Sequence, residues 1–270
     1  MQIETNGVTL DVLVEGEGRP VMLVHGFPDT QRLWSKVTPA LVDAGFHVIV
    51  PTMRGYGASS KPDNVDAYAI PNLAIDLAGI LDHLQIDKVH LVGHDWGAAA
   101  VWAAATFAPD RIDHLVAISV GHPSAFSDMS MAQRQKSWYM LFFQYEGVAE
   151  DWLRRDGWAN FREWCHHPDF DAVTAELDRD QSLTTALNYY RATITPEGFG
   201  GPPLELPPIQ SPTMGIWSSN DFALLEDQMK DSAKFVANTF RYERIDGHDH
   251  WVQWEAPDKV SALLLDFLPR

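Results

Sequence analysis

The sequence predicts an α/β fold, with a mostly parallel, doubly wound sheet that carries an inserted helical cap. Three observations lead to this. Short apolar runs alternate with helical periodicity from Pro20 to Val120 and again from Thr213 onward, as strands joined by helical crossovers do. One junction, Val89 to Ala100, passes from an apolar strand through Gly93-His94-Asp95-Trp96-Gly97 into an alanine-rich helix, so a sharp turn has an aspartate at its centre. From Gly121 to about Ile194 the pattern is helical, dense in Trp, Tyr and Phe, and without a clear strand.

Taken in order, Ile3 to Thr5 and Val8 to Val14 alternate about Asn6-Gly7, a strong hairpin signal, and read as an antiparallel sheet edge. Pro20 to Val24 is a strand ending at His25-Gly26-Phe27-Pro28. A helix with Leu33, Trp34, Val37 and Leu41 on one face is expected next, then a strand at His47 to Val50. The Gly-rich run Arg54 to Ser59 lacks the Lys or third Gly of a phosphate-binding loop and reads as a turn. Ile70 to Leu84 is an amphipathic helix that tolerates Pro71 in its first turn. After the Asp95 junction, Ile112 to Val120 is the next strand. The aromatic helical segment follows, and a return from Thr195 to Pro212, rich in proline, is expected to be extended and stiff. Strands at Thr213 to Trp217 and Thr239 to Ile245 and a helix at Pro257 to Leu268 complete the chain. The expected division is a core of residues 1–121 and 209–270 and a helical cap of residues 122–208.

Composition narrows the function. At 270 residues the chain can bury a large core, and with 46% apolar and 21% charged residues it is globular. A formal charge of -17 repels polyanions, which argues against nucleic acid and anionic membranes as partners. The first residues show no basic start or apolar targeting run, and no membrane-length segment follows, so a cytoplasmic location is expected. One cysteine, Cys165, excludes an internal disulfide. It is followed by His166, His167 and Asp169, a crowded run in a loop that makes a poor zinc site.

In doubly wound sheets the functional groups gather at the carboxyl ends of strands. Asp95 ends one strand, Asp221 follows another, and His250 follows the last, in the order nucleophile, acid, histidine. Asp95 has the alternative of capping the helix that starts at Trp96, and Asp221 that of capping a helix over Phe222 to Met229. His250 is preferred to His248 because it directly precedes the run into the last helix. His25, His94 and His122 are read as shaping turns rather than titrating. A carboxylate at the elbow is informative: serine attacking an sp3 carbon forms a stable ether, whereas aspartate forms an ester that water can cleave.

These residues, with His25-Gly26-Phe27-Pro28, Arg54-Gly55-Tyr56-Gly57-Ala58-Ser59 and His250-Trp251, resemble the epoxide hydrolases of the α/β-hydrolase fold along essentially the whole chain. Haloalkane dehalogenases share most of the same motifs. The resemblance implies a cap over the nucleophile with two tyrosines, matched by Tyr139 and Tyr190, with Tyr189 as a neighbouring alternative. It implies that Asp95 opens the epoxide while the two phenols hold the ring oxygen, and that His250, oriented by Asp221, activates water against the ester. The backbone amides of Phe27 and Trp96 are the implied oxyanion hole. A small lipophilic epoxide is the implied substrate, no cofactor or metal is required, and a homodimer is left open.

Two other readings compete. A haloalkane dehalogenase needs two halide donors; Trp96 offers one, but Phe27 has no side-chain donor, so a cap Trp must supply the other. A fluoroacetate dehalogenase fits less well, because Trp96 stands where those enzymes carry Arg. A non-catalytic ligand-binding protein on the same scaffold has no need of a base and its orienting acid.

Overall fold

Asn6 and Gly7 take positive φ angles of 46° and 74°, the twist a two-residue hairpin turn requires. They fold β1 (Gln2–Thr5) against β2 (Val8–Glu15) as the expected antiparallel edge. The computed structural model describes residues 1–270, leaving aside the side chains of Pro196 and Glu197. Beyond the hairpin come β3 (Arg19–Val24), β4 (Phe46–Pro51), β5 (Val89–His94), β6 (Ile112–Ile118), β7 (Thr213–Ser218) and β8 (Phe240–Ile245). One sheet holds all eight in the order β1-β2-β4-β3-β5-β6-β7-β8. Pairing is antiparallel from β1 to β4 and parallel from there to β8. Every residue of β5 is buried, as expected for a parallel strand covered on both faces.

The stretch expected as one helix over Leu33 to Leu41 is two pieces, a 3-10 turn at Gln31–Trp34 and α1 (Thr38–Asp43). Pro39 lies in the first turn of α1 and has no N–H to continue a preceding helix. All four apolar residues are nevertheless buried. The helices α2 (Ile70–His83) and α3 (Trp96–Phe107) follow the predicted periodicity, and α2 packs Leu73, Leu77, Ile80 and Leu81 inward.

Between β6 and β7 the described chain is helical: α4 (Pro123–Ser127), α5 (Met131–Lys136), α6 (Trp138–Phe142), α7 (Val148–Cys165), α8 (Phe170–Leu177), α9 (Ser182–Thr193) and α10 (Pro196–Gly200). The last corrects the expectation of an extended return. Thr195 caps α10 by accepting from the Gly198 N–H at 3.0 Å, and a proline in the first turn suits a helix start. Only beyond Gly201 does the return run without a helix until β7. The chain then forms α11 (Glu226–Asp231), α12 (Val252–Glu255) and α13 (Pro257–Phe267). No helix among the described residues is long and apolar enough to cross a membrane.

A buried ion pair ties the turn after β4 to α2, and the same turn meets an inserted helix. In the turn after β4, Arg54 grips Asp76 of α2 through two hydrogen bonds of 2.7 and 2.5 Å and donates to the Ala67 carbonyl at 2.8 Å. The Arg54 carbonyl in turn accepts from the Tyr189 hydroxyl of α9 at 2.6 Å. Replacing Asp76 by Ala leaves a guanidinium buried without its partner, and is expected to cost about 3–5 kcal/mol of stability. Equilibrium urea unfolding of the parent and the variant measures this, and a loss below about 1 kcal/mol contradicts it.

Candidate active site

The turn from β5 to α3 holds Asp95 at φ 54° and ψ -122°, an uncommon conformation for a residue with a side chain. Its carboxylate makes no capping bond to α3, so the capping alternative fails. Instead Oδ1 accepts from the Phe27 N–H at 2.6 Å. Close approach makes this possible. A Cβ on Gly26 would stand 2.4 Å from Asp95 Oδ1 and 2.5 Å from the Trp96 nitrogen, and one on Gly97 2.3 Å from the Val24 carbonyl oxygen. The two glycines thus let the backbone after β3 and the start of α3 meet around one carboxylate oxygen.

Asp221, past the end of β7, divides its oxygens between two tasks. Oδ1 accepts from the Ala223 and Leu224 N–H groups, both at 2.9 Å, and Oδ2 faces His250 Nδ1 at 2.9 Å. No helix starts at Phe222, since α11 begins four residues later, so these bonds shape a loop rather than cap a helix. On its other side, His250 Nε2 stands 3.6 Å from Asp95 Oδ2. His250 thus bridges two carboxylates, and all three side chains are buried or nearly so. Burial alone would lower the imidazole pKa, but Asp221 and Asp95 together raise it to about 10. Burial pushes the Asp221 carboxyl up, and His250 with two N–H donors outweighs it to hold the group below its ordinary value.

A cavity of about 430 Å³ opens on one side of Asp95, lined by Trp96, Ala99, Val120, Phe126, Tyr139, Met140, Tyr190, Ile194 and Leu224 among others. A separate recess of about 10 Å³ lies between Asp95, Phe27, Trp164, Phe222, His250 and Trp251. Tyr139 and Tyr190 border both, with ring centres 5.9 Å apart. Burial first, and the Asp95 charge next, raise both phenol pKa values well above the ordinary range, so both hydroxyls stay protonated. Tyr189 differs: its hydroxyl is committed to Arg54, and it lines neither space. His248, the rival histidine, lies outside the group, 3.4 Å from Glu255 on a partly exposed surface.

Residues 19–257 match the α/β hydrolase fold family. The chain is 33% identical to epoxide hydrolase A of Mycobacterium tuberculosis, across 98% of this chain and 96% of that protein. The chain belongs to the epoxide hydrolases. An epoxide hydrolase of Caballeronia sordidicola is 32% identical, across 98% of this chain and 92% of the relative. The structure of a Bacillus megaterium epoxide hydrolase in complex with an inhibitor superposes with a TM-score of 0.90 at 27% identity, covering 100% of both chains.

In this epoxide hydrolase several supporting residues were not legible in the sequence. Asp249 Oδ1 accepts from the N–H groups of Phe222 (3.0 Å) and His250 (2.8 Å), joining the acid loop to the histidine loop. It sits beside His250 in the sequence, but nothing there points to Phe222. From the inserted helices, Lys136 donates to the Asp221 and Phe222 carbonyls (2.9 and 3.0 Å), and Gln133 bridges the Ala223 carbonyl and the Leu225 N–H, each at 2.8 Å. The rim histidines hold turns, as expected. His25 Nε2 accepts from the Met53 N–H at 2.9 Å, His94 Nε2 meets the His250 carbonyl at 3.0 Å, and His122 accepts from the Ser124 N–H at 3.2 Å. Burial lowers each to a pKa of about 4, so all three are neutral near pH 7. His167 Nδ1, in the crowded run after Cys165, accepts from the Asp169 N–H at 3.0 Å, while its Nε2 faces Asp29 at 3.3 Å.

Proposed function

We propose that the chain converts an epoxide and water to a vicinal diol through an ester on Asp95, with residues 122–208 as a cap over a core of residues 1–121 and 209–270. The observation that carries this is one carboxylate with Oδ1 against the Phe27 N–H, Oδ2 toward His250, and two phenols bordering the space in front of it. Asp95 Oδ2 attacks a ring carbon. The new C–O bond forms as the ring C–O bond breaks, and the electron pair moves to the ring oxygen, which takes a proton from Tyr139 or Tyr190. The phenolate regains a proton from the His250 imidazolium, directly or through solvent.

Alkylation removes the Asp95 charge, one of the two that hold the His250 pKa near 10. Neutral His250 then takes a proton from water as the water oxygen attacks Asp95 Cγ, and the amides of Phe27 and Trp96 receive the oxyanion on Oδ1. The small recess beside His250 and Asp95 has about the room one water requires. Collapse of the intermediate releases the diol and restores the carboxylate, with the proton left on His250. The cycle therefore closes with no net proton exchanged. A single turnover in heavy-oxygen water tests the route: the label is expected on Asp95, and label in the diol sinks the ester intermediate.

The pH dependence follows from the same charges. Hydrolysis of the preformed ester needs neutral His250 and is expected to rise with pH through a pKa below the value of about 10 in the free protein. Alkylation draws on the imidazolium and on protonated phenols, so it is expected to fall only as pH climbs toward that value. Stopped-flow fluorescence separates the two phases, and a shared pH midpoint overturns the assignment.

The unequal spaces also favour a substrate shape. A lipophilic arm fits the 430 Å³ cavity, whereas the 10 Å³ recess leaves no room for a second substituent. Terminal epoxides such as styrene oxide are expected to exceed their methyl-substituted internal analogues in kcat/KM by at least about 10-fold. Equal rates for the two series contradict this reading.

A further inference from the structure

Two histidines and an aspartate cluster at the opposite end of β5 from Asp95. Across β5 and β6 the register slips between Val89 and Leu91: Val89 pairs with Ile112 but Leu91 with Leu115, so Asp113 and His114 together face the single residue His90. Successive strand residues normally point to opposite faces, and a bulge of this kind re-aims one of them. Asp113 Oδ2 stands 3.6 Å from His90 Nδ1, and Asp113 Oδ1 stands 3.6 Å from His114 Nδ1. One ligand atom from each of the three residues lies within 4.8 Å of the others.

The hydrogen bonding around His90 leaves one buried ring nitrogen without a donor. His90 is fully buried, and its Nε2 meets the Pro269 carbonyl at 3.0 Å, a contact only an N–H satisfies. In the neutral ring Nδ1 is then a bare acceptor, and it faces a carboxylate oxygen. Among the described residues neither His90 Nδ1 nor His114 Nδ1 has a hydrogen-bond partner, and both atoms are buried.

We infer that His90, Asp113 and His114 form a binding site for a divalent metal ion of the zinc class. Two neutral imidazoles and one carboxylate are the donors such ions take, and the His90 Nε2–H bond to a backbone carbonyl is the outer contact that orients a ligating imidazole. Metal–ligand bonds of about 2.0–2.2 Å place tetrahedral ligand atoms roughly 3.3 Å apart, so the 3.6 Å between His114 Nδ1 and Asp113 Oδ1 needs only a small closure. Arg19 already pairs with Asp113 Oδ2. Its charge weakens the site, and its grip leaves Oδ1 as the carboxylate ligand. Phe46 and Phe267 pack against the two imidazoles and exclude water from one side. A bound ion would clamp the bulge of β5 and β6 and, through His90, the end of the chain at Pro269.

The test uses the full chain without a histidine tag, stripped with a chelator, mixed with one equivalent of Zn²⁺ and passed through gel filtration. Elemental analysis is expected to find about one zinc per chain. His114→Ala and Asp113→Asn, each checked for folding by circular dichroism, are expected to weaken zinc binding at least about 10-fold, while His248→Ala leaves it unchanged. Should a variant fail to fold, the parent loaded with Co²⁺ still decides, through the visible bands of a low-coordinate site with nitrogen ligands. Failure of the parent to retain zinc, retention unchanged in both His114→Ala and Asp113→Asn, or retention lost with His248→Ala overturns the assignment.

Discussion

Replacing His250 by Ala is expected to lower steady-state diol formation by about 10²- to 10⁴-fold while leaving Asp95 able to react once. Only hydrolysis depends strictly on His250, because in a single alkylation solvent can replace its imidazolium in returning a proton to the phenolate. Attack on the ring needs the Asp95 carboxylate and a proton donor at the leaving oxygen, and both survive the substitution. Hydrolysis needs a base beside Asp95, and His250 Nε2, 3.6 Å from Oδ2, is the nitrogen placed there. The ester should therefore accumulate. Intact-protein mass spectrometry after adding styrene oxide is expected to show one added substrate mass, mapped by peptide analysis to Asp95. His248→Ala is the control, since His248 contacts Glu255 and Lys259 on the surface rather than the carboxylates of the site. It should turn over at the parent rate and show no adduct. The reverse pattern, an adduct with His248→Ala and turnover with His250→Ala, removes His250 from the mechanism.

The sheet and the place of Asp95 at its sharp turn were legible because both are written in local chemistry. Asn6-Gly7 specifies its own turn, β5 is apolar along most of its length because both faces are covered, and an elbow packed this closely needs glycine at Gly97. Two elements were misread for equally local reasons. Pro39 and Pro196 each open a helix, but the first lies inside an unbroken apolar periodicity and the second inside a composition that favours extended chain. What the sequence could not carry was pairing over long separations. Nothing in it joins Asp249 to Phe222, Lys136 to Asp221, or Tyr189 to Arg54, yet these contacts hold the acid loop and separate Tyr189 from Tyr190. The same limit hid the His90, Asp113 and His114 group, which depends on a register slip that no local pattern announces.

The double substitution Tyr139→Phe and Tyr190→Phe is expected to reduce alkylation of Asp95 by epoxides by at least about 10²-fold, and by up to about 10⁴-fold if the phenols supply all of the acid assistance. The reason lies in the leaving group. An epoxide oxygen stays attached to the substrate as a strongly basic alkoxide, so ring opening without a proton donor is slow. A halide leaves as a weak base and needs only polarised N–H donors. In their proposed roles Asp95, Asp221 and His250 would serve either substrate, which leaves the phenols as the discriminating groups. Both stay protonated across the working range, since burial and the Asp95 charge raise their pKa values. Only two hydroxyls are lost, and the ring packing among Tyr139, Tyr190, Phe143 and Trp164 is retained, so unfolding temperatures should change little. Each single variant should keep partial activity, because either phenol alone still donates. Single-turnover kinetics with styrene oxide, set beside halide release from a haloalkane of similar size, make the comparison. A double variant that opens epoxides at the parent rate, or a parent that releases halide while ignoring epoxides, would give the site to dehalogenation, with the indole N–H of Trp96, which lines the cavity, as one of the halide donors.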